Sequence, residues 1–296
     1  MTKRTLVIGA AYVDIVVGLN RLPQSGEDVT GNLEATQVGG SAFNVQRALA
    51  YQGAAADLLA PVGLGTYASI VEQTLADRKI PLLVRDDRAD NGWDVSLVES
   101  DGERTFLTVN GIEQLWSERW FQSVDLKTYD YFYISGYELE ELGAAKTILD
   151  ALRRRKVGAK VLFDASPRSQ YLQPAVLEAL FVPGTIVHCN ATEAGSLVAG
   201  ETSYQVAAQH IHRLTGEPVV VTLGADGAYV VDQGQCTRVT GEVARVINTI
   251  GAGDSHCGGL LAALATGQPL LTAVAEANHL AAKVVGQVAG ALEHNR

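Results

Sequence analysis

A glycine-rich turn at residues 248–254 constrains this chain more than any other stretch. A largely apolar run over 243–247 precedes the turn, and an apolar run over 260–265 follows it and predicts a buried helix. Gly251 and Gly253 allow a tight turn and a close approach of the backbone to a ligand. A turn that opens a helix presents free N–H groups and the positive end of the helix dipole, so we expect an anion site here.

Asp254 follows this turn directly. An acidic residue in the first turn of a helix stabilises the helix locally, and that effect alone could explain the residue. The alternative is a carboxylate base that lies beside a phosphoryl group during its transfer. The residues by themselves leave both interpretations open.

Composition excludes several classes of function. The 296 residues are 47% hydrophobic and 19% charged, as in ordinary globular proteins of one or two domains. A net charge of −10 argues against a non-specific nucleic-acid binder, although it does not exclude ATP. No apolar run has membrane-spanning length, and no signal-peptide cleavage site follows Met1. Cys189, Cys236 and Cys257 are widely spaced and suggest neither a zinc site nor a disulfide framework. We expect a cytoplasmic protein without nucleic-acid or membrane partners.

Strand-like apolar runs alternate with helical segments over most of the chain. Buried strands are predicted at 6–9, 131–136, 161–164, 186–189 and 218–224. The alternation predicts a three-layer α/β fold with a mainly parallel sheet. The runs 93–99 and 104–109 flank an Asp-Gly pair, which predicts a hairpin. Trp93 in this hairpin either packs within it or faces a ligand, because aromatic rings serve both purposes.

Motifs of competing α/β enzymes are missing from the sequence. It contains no Gly-x-x-x-x-Gly-Lys-Ser/Thr phosphate loop and no Gly-x-Gly-x-x-Gly dinucleotide turn after a strand. It also lacks the Gly-x-Ser-x-Gly elbow of the α/β hydrolases and the His-Glu-x-x-His motif of zinc proteases.

The stretch from Asn248 to Asp254 resembles the C-terminal signature of the ribokinase (PfkB) family of sugar and nucleoside kinases. That signature is Asp-Thr-x-Gly-Ala-Gly-Asp, and Asn248 stands here in place of its first Asp. The segment from Gly39-Gly40 to Asn44 is the second specific match, and the resemblance extends over nearly the whole chain.

The resemblance implies a single ribokinase-like domain over 1–296 with an α/β/α arrangement of layers. It also implies a small β lid, inserted as two segments at about 12–38 and 92–112. An exposed edge of such a lid invites strand pairing, so a homodimer through the lid is one expectation.

The resemblance also implies roles for individual residues. Asp254 is expected to be the general base, and the N–H groups of Gly251, Ala252 and Gly253 are expected to stabilise the transferred group. The residues expected to hold the substrate are Asp14, Gly39, Gly40, Asn44 and Tyr137. Tyr137 occupies the region where ribokinases have a sugar-binding Glu, with Glu138 beside it.

The nucleotide side is implied in the same way. The residues expected to contact ATP are Asn190, Thr222, Gly224, Gly227 and Asn278. Asn190 and Glu193 are expected to order the water shell of Mg²⁺. Their spacing also fits a helix cap with a capping box, and both roles can hold together.

The resemblance therefore implies an ATP-dependent, Mg²⁺-requiring kinase that phosphorylates a primary hydroxyl of a sugar or sugar derivative. One alternative is a nucleoside kinase, suggested by Tyr137, by Asn248 and by Ser41 where ribokinases usually carry Lys. Another is a ligand-binding relative without catalysis. Family members often bind K⁺ near the first Asp of the signature, and Asn248 lowers the ligand charge there, so K⁺ dependence stays open.

Overall fold

Strands and helices alternate along most of the chain in the computed structural model, which describes residues 3–100, 103–198, 200–287 and 290–292. The strands are, in chain order, β1 (Thr5–Ile8), β2 (Tyr12–Gly18), β3 (Asn32–Gly39), β4 (Ala56–Leu59), β5 (Pro61–Val62), β6 (Val84–Arg85), β7 (Trp93–Val98), β8 (Arg104–Val109), β9 (Tyr131–Ser135), β10 (Lys160–Asp164), β11 (Thr185–Asn190), β12 (Val219–Thr222), β13 (Ala228–Asp232) and β14 (Gln235–Val239). The α-helices are α1 (Ser41–Tyr51), α2 (Thr66–Asp77), α3 (Leu142–Leu152), α4 (Pro174–Leu180), α5 (Ala191–Leu197), α6 (Tyr204–Thr215), α7 (Ala252–Ala265) and α8 (Leu270–Val285).

An eight-stranded sheet lies at the centre, in the order β14-β13-β12-β11-β10-β9-β1-β4. Neighbours from β4 to β12 run parallel, while β13 and β14 are antiparallel additions at one edge. The mainly parallel sheet predicted from the sequence is therefore confirmed.

Helices cover both faces of this sheet, because side chains alternate between the faces along each strand. In β1, Leu6 and Ile8 belong to the core cluster with α3, α4, α5 and α6. Val7 points the other way, into the cluster with α1, α2, α7 and α8. All three side chains are fully buried. This arrangement confirms the three-layer α/β/α fold.

A separate four-stranded sheet has the order β3-β2-β7-β8. Its strands come from the two segments predicted as a lid, and the predicted hairpin is the antiparallel pair β7–β8. The Asp-Gly pair at 101–102 lies outside the described residues. The Trp93 ring stacks on Tyr67 of α2, with centroids 5.1 Å apart, so Trp93 packs against the body of the protein. The extent of the lid and of the single domain stay predictions.

Close packing of α7 against its neighbours explains its small residues. A Cβ on Gly258 would lie 2.9 Å from the Val45 carbonyl oxygen of α1, and one on Gly259 would lie 3.1 Å from the Ala277 Cα of α8. Within the described ranges, no helix is both long and apolar enough to cross a membrane.

Candidate active site

The candidate site lies at the carboxyl ends of the parallel strands, where ligands bind in open α/β sheets. Asp164 ends β10, Asn190 ends β11 and Thr222 ends β12. The first turn of α7 meets this edge, because Asp254 lies close enough for the Asp164 charge to affect its pKa.

The turn before α7 depends on its first glycine. Gly251 is the N-cap, with φ of 76°, and a Cβ at this position would overlap the Gly290 carbonyl. Gly253 is exposed, and a Cβ there would meet no atom within 4 Å. The backbone at Gly253 therefore borders open space. The Ala252 N–H donates to the Thr249 carbonyl at 3.3 Å, so this amide already has a partner within the turn.

The Asp254 carboxylate has specific hydrogen-bond partners. Its Oδ2 accepts from Asn44 Nδ2 at 2.8 Å, and the Ser41 side chain is a second partner. Burial raises the pKa of Asp254 to about 7, against the lowering effect of Asn44. Asp254 does occupy the first turn of α7, where an acidic residue stabilises the helix. A carboxylate that titrates near neutral pH is also suited to general-base catalysis.

The glycine pair before α1 brings the backbone close to neighbouring groups. Gly40 is the N-cap of α1 with φ of 97°, and a Cβ there would lie 2.9 Å from the Ala10 carbonyl oxygen. A Cβ on Gly39 would overlap the carboxylate of Asp14. Gly39 therefore lies against Asp14 at the start of α1, where Asn44 hydrogen-bonds to Asp254.

Asp14 on β2 has a partner that the sequence analysis missed. It is paired in register with Asp94 on β7, so the two carboxyl groups leave the same face of the lid sheet. Burial and the Asp94 charge raise the pKa of Asp14 to about 8. Asp94 could not be recognised in advance, since its position opposite Asp14 depends on the pairing of distant strands.

Tyr137 and Glu138 lie in a 3₁₀ turn, Gly136–Leu139, that follows β9. The Tyr137 side chain is 44% exposed, whereas Glu138 is 6% exposed. Glu138 Oε1 accepts from the Ala10 N–H at 3.2 Å, and burial raises the pKa of Glu138 to about 8. The charge of Asp254 acts on both groups. The sequence analysis put Tyr137 in the substrate site, but the structure adds a buried carboxylate beside it.

The predicted nucleotide loops have well-defined local contacts. The Thr222 hydroxyl donates to the Cys189 carbonyl at 3.3 Å. Gly224 begins the 3₁₀ turn Gly224–Asp226, and a Cβ on Gly227 would overlap the Val239 carbonyl. The two glycines therefore shape the turn that joins β12 to β13.

The capping box predicted at the start of α5 is present. Asn190 Oδ1 accepts from the N–H groups of Thr192 and Glu193, each at 2.9 Å. Glu193 Oε2 accepts from the Asn190 N–H at 2.8 Å. The cap fixes both side chains at the carboxyl end of β11, and their role toward a metal ion stays a prediction. Glu193 supplies carboxylate oxygen, the donor type that Mg²⁺ prefers.

Asn278 on α8 is buried and hydrogen-bonded within the protein, and its expected contact with ATP stays a prediction. It is 6% exposed and belongs to a buried chain of hydrogen bonds that links the sheet to α7 and α8. Asp164 Oδ1 bonds to His188 Nδ1 at 2.7 Å, His188 Nε2 to His256 Nδ1 at 3.0 Å, and His256 Nε2 to Asn278 Oδ1 at 3.1 Å. Both the oxygen and the nitrogen of the Asn278 side-chain amide therefore have hydrogen-bond partners within the protein.

The direction of the hydrogen bonds between His188 and Asn278 follows from the contacts of Asn278. Asn278 Nδ2 donates to the Thr240 and Val239 carbonyls at 3.1 and 3.4 Å, which leaves Oδ1 facing His256. Burial lowers the pKa of His256 to about 3, so His256 is neutral and carries its proton on Nε2. Its Nδ1 therefore accepts from His188 Nε2–H. This order ties the loop after β14 to the centre of the sheet.

Comparison with known proteins identifies the family. The model of the "pfkB family carbohydrate kinase" matches residues 2–293.

The chain belongs to the PfkB family of carbohydrate kinases.

Relatives of this PfkB chain are also named as kinases. The uncharacterized sugar kinase YegV of Escherichia coli K12 is 31% identical over 291 residues, which cover 97% of this chain and 90% of YegV. A ribokinase structure from Thermotoga maritima superposes with a TM-score of 0.83 at 19% identity and covers 98% and 95% of the two chains. Aminoimidazole riboside kinase from Salmonella enterica, solved with aminoimidazole riboside and an ATP analogue, gives a TM-score of 0.79 at 25% identity, with coverage of 97% and 95%.

Membership in the PfkB family makes this chain a kinase and so a phosphotransferase. The sequence analysis missed Asp94, Asp164, His188 and His256 as members of the site or its support. Two signals were available, since His188 precedes Asn190 by two residues and His256 follows Asp254 by two.

Proposed function

We propose that this PfkB kinase transfers the γ-phosphate of ATP to a primary hydroxyl of a sugar or sugar derivative. The observation that carries the proposal is the Asp254 carboxylate, which is bonded to Asn44 beside the open backbone at Gly253. Its pKa of about 7 suits a base that removes a proton from an attacking hydroxyl.

The acceptor hydroxyls bind between the lid and the start of α1. Asp14 supplies a carboxyl group, Gly39 and Gly40 allow the backbone to approach, and Asn44 orients Asp254. The hydroxyl to be phosphorylated gives its proton to Asp254 as its oxygen attacks the γ-phosphate. In this proposal the N–H groups at the start of α7 stabilise the charge on the transferred group, with Gly253 beside open space and Ala252 also hydrogen-bonded to Thr249. Positioning and charge stabilisation of this kind supply most of the catalysis in phosphoryl transfer.

ATP binds along the turns after β11 and β12. Asn190, Thr222, Gly224 and Gly227 supply the contacts in this proposal. Asn278 contributes indirectly, because it holds the carbonyls of Val239 and Thr240. The nucleotide loop and the catalytic helix are thereby fixed relative to each other.

Mg²⁺ is the metal ion that fits this proposal, and Glu193 and Asn190 would hold it through water. A bound Mg²⁺ neutralises charge on the phosphates of ATP. K⁺ dependence is less supported, because Asn248 Oδ1 already accepts from the Ile250 N–H at 3.0 Å.

A nucleoside acceptor is the second candidate. The half-exposed ring of Tyr137 lies at the substrate end of the site, within range of the Asp254 charge, where it could stack on a base. A nucleoside would use the same base and the same nucleotide turns.

The test is ATP-to-ADP turnover with Mg²⁺, with and without K⁺, against ribose, fructose, adenosine and pseudouridine. Turnover with a free sugar supports the main proposal, and turnover with nucleosides alone supports the second. If ATP binds and no acceptor in a broader set is phosphorylated, the chain is a ligand-binding relative.

Asp254→Asn tests the base directly. The amide keeps an acceptor for Asn44 but cannot take the proton, so kcat should fall about 10²–10⁴-fold. Asp150→Asn, an exposed residue paired with Arg153 on α3, removes the same charge and should leave kcat unchanged. Near-normal turnover by Asp254→Asn would contradict the assignment.

We also propose a homodimer through the lid. β8 is an edge strand, and its Phe106 and Leu107 are 51% and 61% exposed. Exposed apolar edge strands favour pairing with another chain. Light scattering after gel filtration should give twice the mass of one chain. Leu107→Lys should reduce the measured mass to that of a single chain.

A further inference from the structure

Two buried histidines join segments that the proposed function uses separately. His188 lies on β11, two residues before Asn190, and His256 lies on α7, two residues after Asp254. A ring nitrogen of each histidine bonds to the other at 3.0 Å, and both side chains are 2% exposed. The end of β11 is therefore bonded directly to the helix that carries the proposed base.

One end of this pair is anchored at the carboxyl end of the central sheet. His188 and Asp164 are register partners on the parallel strands β11 and β10, so their side chains leave the same face of the sheet. His188 Nδ1 lies 2.7 Å from Asp164 Oδ1. Asp164 Oδ2 accepts from the Tyr133 hydroxyl of β9 at 3.3 Å. Both oxygens of the Asp164 carboxylate are therefore held by groups on neighbouring strands.

The other end of the pair is anchored behind the nucleotide turn. His256 Nε2 bonds to Asn278 Oδ1, and the Asn278 amide nitrogen donates to the Thr240 carbonyl at 3.1 Å. The Thr240 backbone lies directly against Gly227, where an added Cβ would come within 2.6 Å of the Thr240 carbonyl carbon. Gly227 is one of the residues proposed to contact ATP. A continuous line of hydrogen bonds thus connects the nucleotide turn, α7 and the end of β11.

This line of hydrogen bonds requires a definite number of protons. The Asn278 amide hydrogens face backbone carbonyls, so its Oδ1 only accepts. The three bonds that lead from Asn278 to Asp164 then need three protons. Two neutral imidazole rings and a carboxylate supply two. The third completes the bond between His188 and Asp164, and it belongs on His188 Nδ1, because imidazole is a stronger base than a carboxylate.

A metal ion is the alternative occupant of this place. Ligand atoms of Asp164, His188 and Cys257 all lie within 4.8 Å of one another. Two ligand atoms of one tetrahedral zinc ion are about 3.3 Å apart at the usual bond lengths. The 2.7 Å between His188 Nδ1 and Asp164 Oδ1 is shorter and is an ordinary hydrogen-bond distance. The geometry therefore favours a proton.

We infer that His188 and His256 are positioning residues for phosphoryl transfer, joined by a buried line of hydrogen bonds that holds one proton more than two neutral rings carry. The inference rests on the proposed function. The line fixes the first turn of α7, with Gly253 and Asp254, relative to the turn that receives ATP. A displacement of about 1 Å at a reacting group can cost roughly 10²-fold in rate, so this line supports kcat. In this proposal neither histidine contacts a substrate.

The protons are counted by NMR of the whole protein with ¹⁵N-labelled histidine. At pH 7.5 the pair should show three ring N–H protons, two on His188 and one on His256. His256→Gln assigns them, because this variant removes one ring signal and keeps the two of His188. The count needs neither ATP nor an acceptor. Two ring protons instead of three would overturn the inference.

Two variants of His256 separate its hydrogen bonds from simple packing. Leucine has no ring nitrogens, so in His256→Leu kcat should fall roughly 10–100-fold, while KM for the acceptor and Kd for ATP change less than about threefold. Glutamine presents one acceptor and one donor, as the neutral ring does, so His256→Gln should keep kcat within about threefold of the wild type. The control is Leu261→Ala, which removes a fully buried side chain of α7. It should lower the melting temperature without lowering kcat.

A wild-type kcat in His256→Leu would overturn the inference while the kinase proposal stood. The same holds if His256→Gln is as slow as His256→Leu, or if Leu261→Ala lowers kcat as much. If His256→Leu does not fold, the count of ring protons in the wild type decides. Absence of turnover with every acceptor, together with three ring protons, would instead defeat the proposed function and with it the positioning role, and would leave the hydrogen-bonded line itself intact.

Discussion

The first turn of α7 and the lid sheet form two ends of the candidate site that are built differently. The α7 end comes from one continuous segment, in which Gly251 turns the chain and Asp254 follows three residues later. The lid end brings Asp14 and Asp94 together from strands 80 residues apart. A contiguous motif can be read from the sequence, whereas the partner across a parallel strand pair cannot.

The two ends also differ in how their carboxylates are satisfied. Asp254 has neutral partners in Asn44 and Ser41, whereas Asp94 keeps a buried oxygen without a partner in the described ranges. The α7 end is therefore organised before a ligand binds. The lid end, in contrast, leaves an oxygen that a bound donor could satisfy.

Gly39→Ala is expected to have the largest effect at the lid end. The new methyl group would overlap the Asp14 carboxylate and displace it, so KM for the acceptor should rise by about 10²-fold. Steady-state kinetics at saturating ATP measures the effect. Gly143→Ala is the control, because the three atoms nearest to its methyl group all belong to the exposed Glu141 side chain. If KM for ATP rose by the same factor, the effect would not be confined to the acceptor site.

The pH dependence of kcat/KM tests the α7 end. Burial raises the pKa of Asp254 to about 7, so the reactive carboxylate should be lost below pH 7 and the rate should fall about tenfold per pH unit. A flat profile between pH 5.5 and 8 would contradict the base.

The stability of the folded state, unlike the rate, should decrease as the pH rises over this range. The folded-state pKa of Asp254 lies above the unfolded value of about 4, so its protonated form stabilises the folded state. That contribution is complete below pH 4 and is lost as the pH rises through 7. Asp14, with its pKa raised to about 8, acts in the same sense. The melting temperature should therefore fall between pH 5 and 8, and less so in Asp254→Asn.

Asn278→Ala should have the smallest effect on catalysis and a clear effect on stability. It leaves His256 Nε2 and the Thr240 carbonyl without a partner, at a cost of about 1–3 kcal/mol in the free energy of unfolding. Urea denaturation measures this cost. An unchanged stability together with a raised KM for ATP would support a direct contact between Asn278 and ATP.

The sequence predicted the layers of the fold well, because the period of apolar residues and the glycine turns are local signals. Leu6, Val7 and Ile8 show why a buried parallel strand reads as a continuous apolar run. The capping box of Asn190 and Glu193 was equally local. Both depend on neighbours within a few residues.

The parts that could not be predicted depend on distant contacts. His188 and His256 come from a strand and a helix 68 residues apart, and no spacing rule joins them. The contacts of Asn278 with the carbonyls of Val239 and Thr240 could not be predicted either, because nothing in its own helix indicates them. Asp94 could not be predicted for the same reason, since its partner Asp14 is set by the pairing of β2 with β7.

The parallel pairing of β2 with β7 has a consequence for synthesis and folding. Parallel neighbours cannot form a hairpin, and α1, β4 and α2 lie between the two strands in the chain. Contacts this distant in the chain form late, because closing a long loop costs entropy. A nascent chain exposes Asp14 long before Asp94 leaves the ribosome. The pairing of Asp14 with Asp94 should therefore be completed after the amino-terminal part of the central sheet has begun to assemble.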